Sequence, residues 1–211
     1  MNIGFYVSGR ATRLKNIIQN DYSDINHSVR LVVSDEKNDT LEELLKENHI
    51  NYRYFGEDAI QDNVLFSDKL LNEMKKNKID YLFVFGKKLL KGKILTEYRN
   101  RMINFHPSIL PLFPGYHAID KAVEAHMTVL GNTAHFIDES VDQGPIILQT
   151  IISIDVFREE GYEGILKYQE KMFFIIFDLL KQDRIVVEKN NSVTIKQSRK
   201  KNFLFIPTID F

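Results

Sequence analysis

The chain contains no cysteine and no tryptophan. Without cysteine there are no disulfides, no thiolate metal sites and no thiol nucleophile, and the compartment stays open on that ground. Proline and glycine are sparse, 5 and 10 in 211 residues, which argues against collagen-like or low-complexity sequence. Charge of one sign is lacking too: 28 Lys and Arg offset 29 Asp and Glu, a net charge of −1. No global positive field exists to hold nucleic acid or an anionic membrane surface, and neither is expected as a partner. A dense basic run, Arg199, Lys200 and Lys201, reads as a solvated surface stretch before it reads as a phosphate site. Long hydrophobic runs are missing as well. The apolar stretch from Met1 to Val7 is too short for a signal peptide and has no basic region before it. The longest apolar block runs from Met172 to Phe177, far below the roughly 18–20 residues of a membrane span. A soluble cytoplasmic protein is the expectation.

What is present is ordinary globular composition, 44% hydrophobic and 27% charged, in a length that supports one sizeable core. The first half alternates short apolar runs with helical patterns. Strands are expected at Ile3 to Val7, Val29 to Val33, Tyr52 to Phe55 and Tyr81 to Phe85, with helices at Thr12 to Gln19, Thr40 to Asn48 and Asn63 to Lys76 between them. Strands separated this way give βαβ units and an open, mostly parallel sheet, with ligands at the carboxyl ends of its strands. A fifth strand, Arg101 to Phe105, runs into a loop holding Pro107, Pro111 and Pro114. A helix from Ala118 to Ala125, strands at Asn132 to Ile137 and Ile146 to Ile154, and a long helix from Tyr162 to Lys181 follow. Weak strand character returns at Ile185 to Val187 and Val193 to Ile195. No repeat or linker interrupts the pattern, so a single domain over residues 1–211 is expected.

Several residue groups can carry chemistry. Asn104 and His106 alternate onto one side of their strand, while Phe105 points into the core and Pro107 ends the ladder. An amide and an imidazole side by side can donate to one developing oxyanion, although a strand-end turn would use the same residues. Asp142, in the loop from Asp138 to Gly144, is either a turn former or the proton acceptor that an attacking amine needs. Thr133 and His135 share a strand face just before it, and His135 is expected to orient His106. His106, His117, His126 and His135 crowd thirty residues, yet their spacings match no metal-binding pattern and no metal is expected. The turn from Ser8 to Arg13 aims helix amides and two arginines at an anion. Glu170 sits among Leu166, Phe173, Phe174 and Phe177, where its partner is either Lys167 or a polar ligand group. Tyr6 and Tyr116 are either core residues or an aromatic face for a base or sugar.

Taken together these residues resemble a known family. The strings from Ile103 to Pro111, Phe113 to His117, Thr133 to Phe136 and Asp142 to Gln149 are similar to the central motifs of the folate-dependent formyltransferases. The resemblance implies a Rossmann-like α/β fold whose open, mostly parallel sheet carries helices on both faces. It implies an enzyme that moves a formyl group from 10-formyltetrahydrofolate, its co-substrate, to a primary amine. Asn104 and His106 would donate to the formyl oxygen, and Asp142 would relay protons through water. The folate would lie against Lys88, Leu89 and Leu90 and against Asp138, Glu139, Ser140 and Val141. Thr133 and His135 match a supporting pair. The amine substrate would be held by Gly9, Arg10, Ala11, Thr12 and Arg13, with Phe105, Pro107 and Glu170. The loop from Arg10 to Arg13 departs from the Gly-, Ser- and Asn-rich phosphate loop of the family, and the pair Lys87-Lys88 departs from its usual Met-Arg. On that ground the expected amine is that of a nucleotide-linked amino sugar. The alternatives are the purine branch acting on glycinamide ribonucleotide and, in another class, a folate or nucleotide binding protein without turnover. The oligomeric state is open, a homodimer being one option.

Overall fold

The computed structural model describes residues 1–20, 23–56 and 62–198. The basic run at Arg199, Lys200 and Lys201 and the tail beyond it lie outside them. The strands are β1 (Ile3–Val7), β2 (Val29–Ser34), β3 (Asn51–Tyr54), β4 (Tyr81–Phe85), β5 (Met102–His106), β6 (Val129–Phe136), β7 (Ile146–Ser153), β8 (Ile185–Val187) and β9 (Val193–Ile195). Between them run α1 (Thr12–Gln19), α2 (Ser23–Asn26), α3 (Asp39–Glu47), α4 (Asn63–Lys76), α5 (Lys93–Glu97), α6 (Ala118–Glu124) and α7 (Ile154–Lys181). Seven strands form one sheet in the order β3-β2-β1-β4-β5-β6-β7, and β8 and β9 form a separate antiparallel ribbon. The fold is the expected one, an α/β protein built on a mostly parallel sheet.

Contacts divide the chain into two compact units, residues 1–104 with 136–140, and residues 105–135 with 141 onward. In the first, β1 pairs in parallel with β2 and β4, β2 with β3, and β4 with β5. Every residue of β1 is buried, which is why its sequence is apolar throughout rather than alternating. Helix α1 buries Leu14, Ile17 and Ile18, the i, i+3, i+4 stripe of an amphipathic helix. Helix α3 starts where the Asn38 side chain accepts the Leu41 amide, and α4 where Asp62 accepts that of Val64. Phe66, Leu70, Leu71 and Met74 of α4 pack with Leu31, Val33, Leu82 and Val84 into one core.

In the second unit, β6 and β7 form an antiparallel hairpin, with α6 and α7 supplying Ile119, Ala122 and Ile165 to a core against Leu130 and Ile152. The register slips between Ala134 and His135 because Ile147 is an extra residue in β7. Strand β6 therefore keeps its alternation, and Thr133 and His135 stay on one face as expected. Gly131 is required by close approach: a Cβ there would stand 2.1 Å from the Thr150 carbonyl oxygen and 2.7 Å from Ile109.

Three differences from the sequence reading have plain causes. Helix α7 begins at Ile154 rather than Tyr162, because Ser153 caps it through the Asp155 amide, and Gly161 at φ 64° then breaks the helical path. The expected start was the second of two joined segments. The short helices α2 and α5 were not expected, since 4 and 5 residues give no apolar period to read.

Candidate active site

His106 ends β5, and Pro107 turns the chain into the proline-containing loop. That loop is locked by one hydroxyl. Thr133 Oγ1 donates to the Ser108 carbonyl (2.7 Å) and accepts the Leu110 amide (3.0 Å) and Gln149 Nε2 (2.9 Å), filling the donor and acceptor capacity of a threonine. Gln149 Nε2 also donates to the Leu110 carbonyl at 2.9 Å. The fixed loop returns two contacts to the site. The Phe113 carbonyl accepts from His106 Nε2 (2.9 Å), and the Gly115 amide donates to Asp142 Oδ2 (2.7 Å).

Asp142 occupies a left-handed turn position, φ 54°, a region that Asp tolerates better than most residues. Its side chain is only 10% exposed and meets two imidazoles. His106 Nδ1 is 3.3 Å from Oδ2, and His135 Nε2 is 3.6 Å from Oδ1. Burial alone would raise the Asp142 carboxyl, but the approach of His135, the Gly115 amide and the charge of His106 outweigh it and hold the carboxyl below its ordinary range. Burial acts most strongly on His106 and lowers its proton affinity, against the upward pull of the Phe113 carbonyl and Asp142. An anionic carboxylate thus stays in a largely dry site beside an imidazole whose proton affinity is reduced. His135 contacts Asp142, the carboxylate that also meets His106.

The remaining predicted residues fall as follows. Phe105 is buried and Pro107 half-buried beside His106. Asn104 is half-buried two positions before His106 in β5. Lys88 follows β4, with Leu89 exposed and Leu90 in the core. Asp138 accepts the Ser140 amide at 2.9 Å, and Glu139, Ser140 and Val141 are exposed. In the turn after β1, Gly9 (φ 61°) and Ala11 (φ 51°) are left-handed, Arg10 and Thr12 are exposed, and the Arg13 guanidinium lies over the Phe85 ring, 4.5 Å from its centre. Gly86 carries no side chain because the Tyr6 ring occupies the space: a Cβ would stand 2.2 Å from Cζ.

Other expectations are corrected. Lys167 pairs with Glu160 at 2.5 Å, and Glu170 is half-buried rather than enclosed in the apolar stripe. The buried polar residue of α7 is its neighbour Gln169, whose Nε2 donates to Asn132 Oδ1 at 2.8 Å. Tyr6 is fully buried and offers no face to a ligand, whereas Tyr116 is 65% exposed. Of the four clustered histidines only His106 and His135 converge; His117 is exposed and faces Asp120. Among the described residues no group of three or more His, Asp or Glu is arranged to hold a metal ion. Sequence reasoning missed Gln149, Gly115 and the Phe113 carbonyl, although each lies inside a string that carries the resemblance. The hairpin register, which sets Gln149 opposite Thr133, was the signal for the first. The other two act through backbone, which side-chain identity does not reveal.

Residues 1–171 match the formyl transferase family model. The phosphoribosylglycinamide formyltransferase of Bacillus subtilis is 32% identical over 129 residues, 61% of this chain and 66% of that protein. The formyltetrahydrofolate deformylase of Haemophilus influenzae is 30% identical over 183 residues, 85% of this chain and 64% of that protein. The matched region thus spans less than two thirds of each of these curated relatives. The crystal structure of glycinamide ribonucleotide transformylase 1 from Symbiobacterium toebii superposes with a TM-score of 0.82 at 28% identity, over 92% of this chain and 93% of that one. With four fifths of its length under one family model, this chain belongs to the formyl transferase family.

Proposed function

We propose that the protein transfers the formyl group of 10-formyltetrahydrofolate to the amine of glycinamide ribonucleotide. The observation that carries the chemistry is Asp142, its side chain 10% exposed, held in its charged form and flanked by His106 and His135. The amine attacks the formyl carbon, and the developing oxyanion takes hydrogen bonds from Asn104 and His106. His106 Nε2 exchanges the Phe113 carbonyl for that oxygen as the intermediate forms. Asp142 accepts the amine proton through a water and returns it to the departing folate nitrogen. The folate is assigned to Lys88–Leu90 and to Asp138–Val141. No step calls on a metal.

The amine assignment departs from the nucleotide-linked amino sugar expected from the sequence. Two arginine forks were to grip a diphosphate, yet Arg13 is stacked over Phe85, and the Glu36 carboxylate lies near Gly9. Left-handed Gly9 and Ala11 leading into α1, which has no acidic residue in its first turn, suit a single phosphate cradled by backbone. Proteins named for glycinamide ribonucleotide chemistry among the relatives support the same choice. Release of tetrahydrofolate should be followed with 10-formyltetrahydrofolate and each amine in turn. Glycinamide ribonucleotide should be used at about 10⁴ M⁻¹s⁻¹ or better. Turnover of nucleotide amino sugars alone would restore the first reading. Formate production without any amine would instead place the chain with the deformylases, and folate binding without turnover would make it a binding protein.

A further inference from the structure

Two hydrogen bonds in the first unit converge on one carboxyl oxygen, and two more are relayed to it through hydroxyls. Tyr6 Oη donates to Asp35 Oδ2 at 2.7 Å, and Ser8 Oγ donates to the same oxygen at 2.8 Å. Each hydroxyl then accepts a backbone amide from the segment after β4: Lys88 N–H to Tyr6 (3.0 Å) and Lys87 N–H to Ser8 (2.8 Å). Asp35 follows the last residue of β2, so the ends of three adjacent parallel strands are tied through one carboxyl. We propose that Tyr6, Ser8 and Asp35 are positioning residues that fix Lys87 and Lys88, and with them the folate-side segment, relative to the phosphate loop that begins at Ser8. The inference rests on the folate assignment of Lys88–Leu90 made above.

Stability alone is a poor account of the arrangement. Asp35 is 5% exposed, and its second oxygen, Oδ1, has no hydrogen-bond partner among the described residues. A half-satisfied buried acid is a costly device, and an apolar residue of similar size would serve packing as well or better. The geometry offers something packing cannot. Two consecutive amides are held in fixed directions by hydroxyls whose only protons are committed to Asp35, so neither hydroxyl can turn round to donate toward the segment. Burial, reinforced by Asp35, raises the Tyr6 phenol well above its usual range, which keeps it a donor at any physiological pH. Lys87 Nζ adds an exposed contact to Glu36 Oε1 at 3.4 Å, on the residue after Asp35.

The test compares the native chain with Tyr6→Phe and Ser8→Ala, reading amide hydrogen exchange at positions 87 and 88, the dissociation constant for tetrahydrofolate, and kcat. Tyr6→Phe keeps the ring that packs on Gly86 and removes only the hydroxyl. It should speed exchange at Lys88 and weaken tetrahydrofolate binding about tenfold, the scale of one hydrogen bond, with kcat within about threefold. Ser8→Ala should speed exchange at Lys87 and weaken tetrahydrofolate binding to a similar extent. Native exchange rates at both amides in the variants would overturn the bracket. Faster exchange with unchanged folate affinity would overturn its role in positioning, leaving a structural contact only. Failure of the native chain to bind tetrahydrofolate would reject the proposed function itself, and the folate role of the bracket with it.

Discussion

His106 Nδ1 stands 3.3 Å from Asp142 Oδ2, the same oxygen that accepts the Gly115 amide. That oxygen is fixed by a backbone amide and lies against the imidazole, while the other faces His135. The carboxylate is oriented by groups that do not depend on its charge to fold.

That separation makes Asp142→Asn a clean probe. The amide oxygen can still accept the Gly115 amide, so the loop should hold and the melting temperature should stay within a few degrees. Turnover should fall by about 10²-fold or more, the scale of losing a general base. Near-native turnover of a folded Asp142→Asn protein would remove Asp142 from the mechanism.

Stability should weaken in acid in two steps. His106 binds its proton more weakly in the folded chain than its ordinary value of 6.5, and Asp142 more weakly than 3.8. Below each of those values the unfolded chain takes up protons that the folded chain resists, so each contribution is complete above its value and is lost as pH falls past it. Urea midpoints measured from pH 7.5 downward should drop first below about 6.5 and again below about 4. His106→Gln should erase the upper step, and an unchanged upper step in that variant would assign it elsewhere.

Gly131→Ala should destabilise the second unit. The added Cβ would meet the Thr150 carbonyl oxygen at 2.1 Å, a backbone atom that cannot move without parting β6 from β7. A loss of about 1–3 kcal/mol is expected, in the range of overpacked cores, read as a lower denaturation midpoint at constant slope. A variant as stable as the native chain would show that the hairpin yields at this point.

Most of the sheet was legible because its strands obey simple rules. Tyr81–Phe85 is apolar on both faces and was read to the residue, as was α4 from Asn63 to Lys76. Interruptions escaped instead: Gly161, whose positive φ joins two helical segments, and the extra residue Ile147 in β7. In the site, the strings that carry the resemblance brought His106, His135 and Asp142 forward, and the structure sets each histidine within 3.6 Å of Asp142. Glu170 is half-buried and its neighbour Gln169 takes the fully buried place, a shift of one position that a helical stripe does not resolve. The bracket on Asp35 was out of reach, since nothing in a lone acid after β2 tells which distant amides its oxygen serves.

The Tyr6 ring lying where a side chain at position 86 would begin has a consequence for how this sequence can change over time. The two positions lie eighty residues apart in the chain, yet they are not free to drift independently. A side chain can enter at 86 only after position 6 has become smaller, and that first change also removes the phenol that holds the Lys88 amide. The opposite order meets a clash with an aromatic ring fully enclosed by core. Substitution here has a direction, and a lineage that has acquired this tyrosine is committed to glycine at 86 for as long as it keeps the ring.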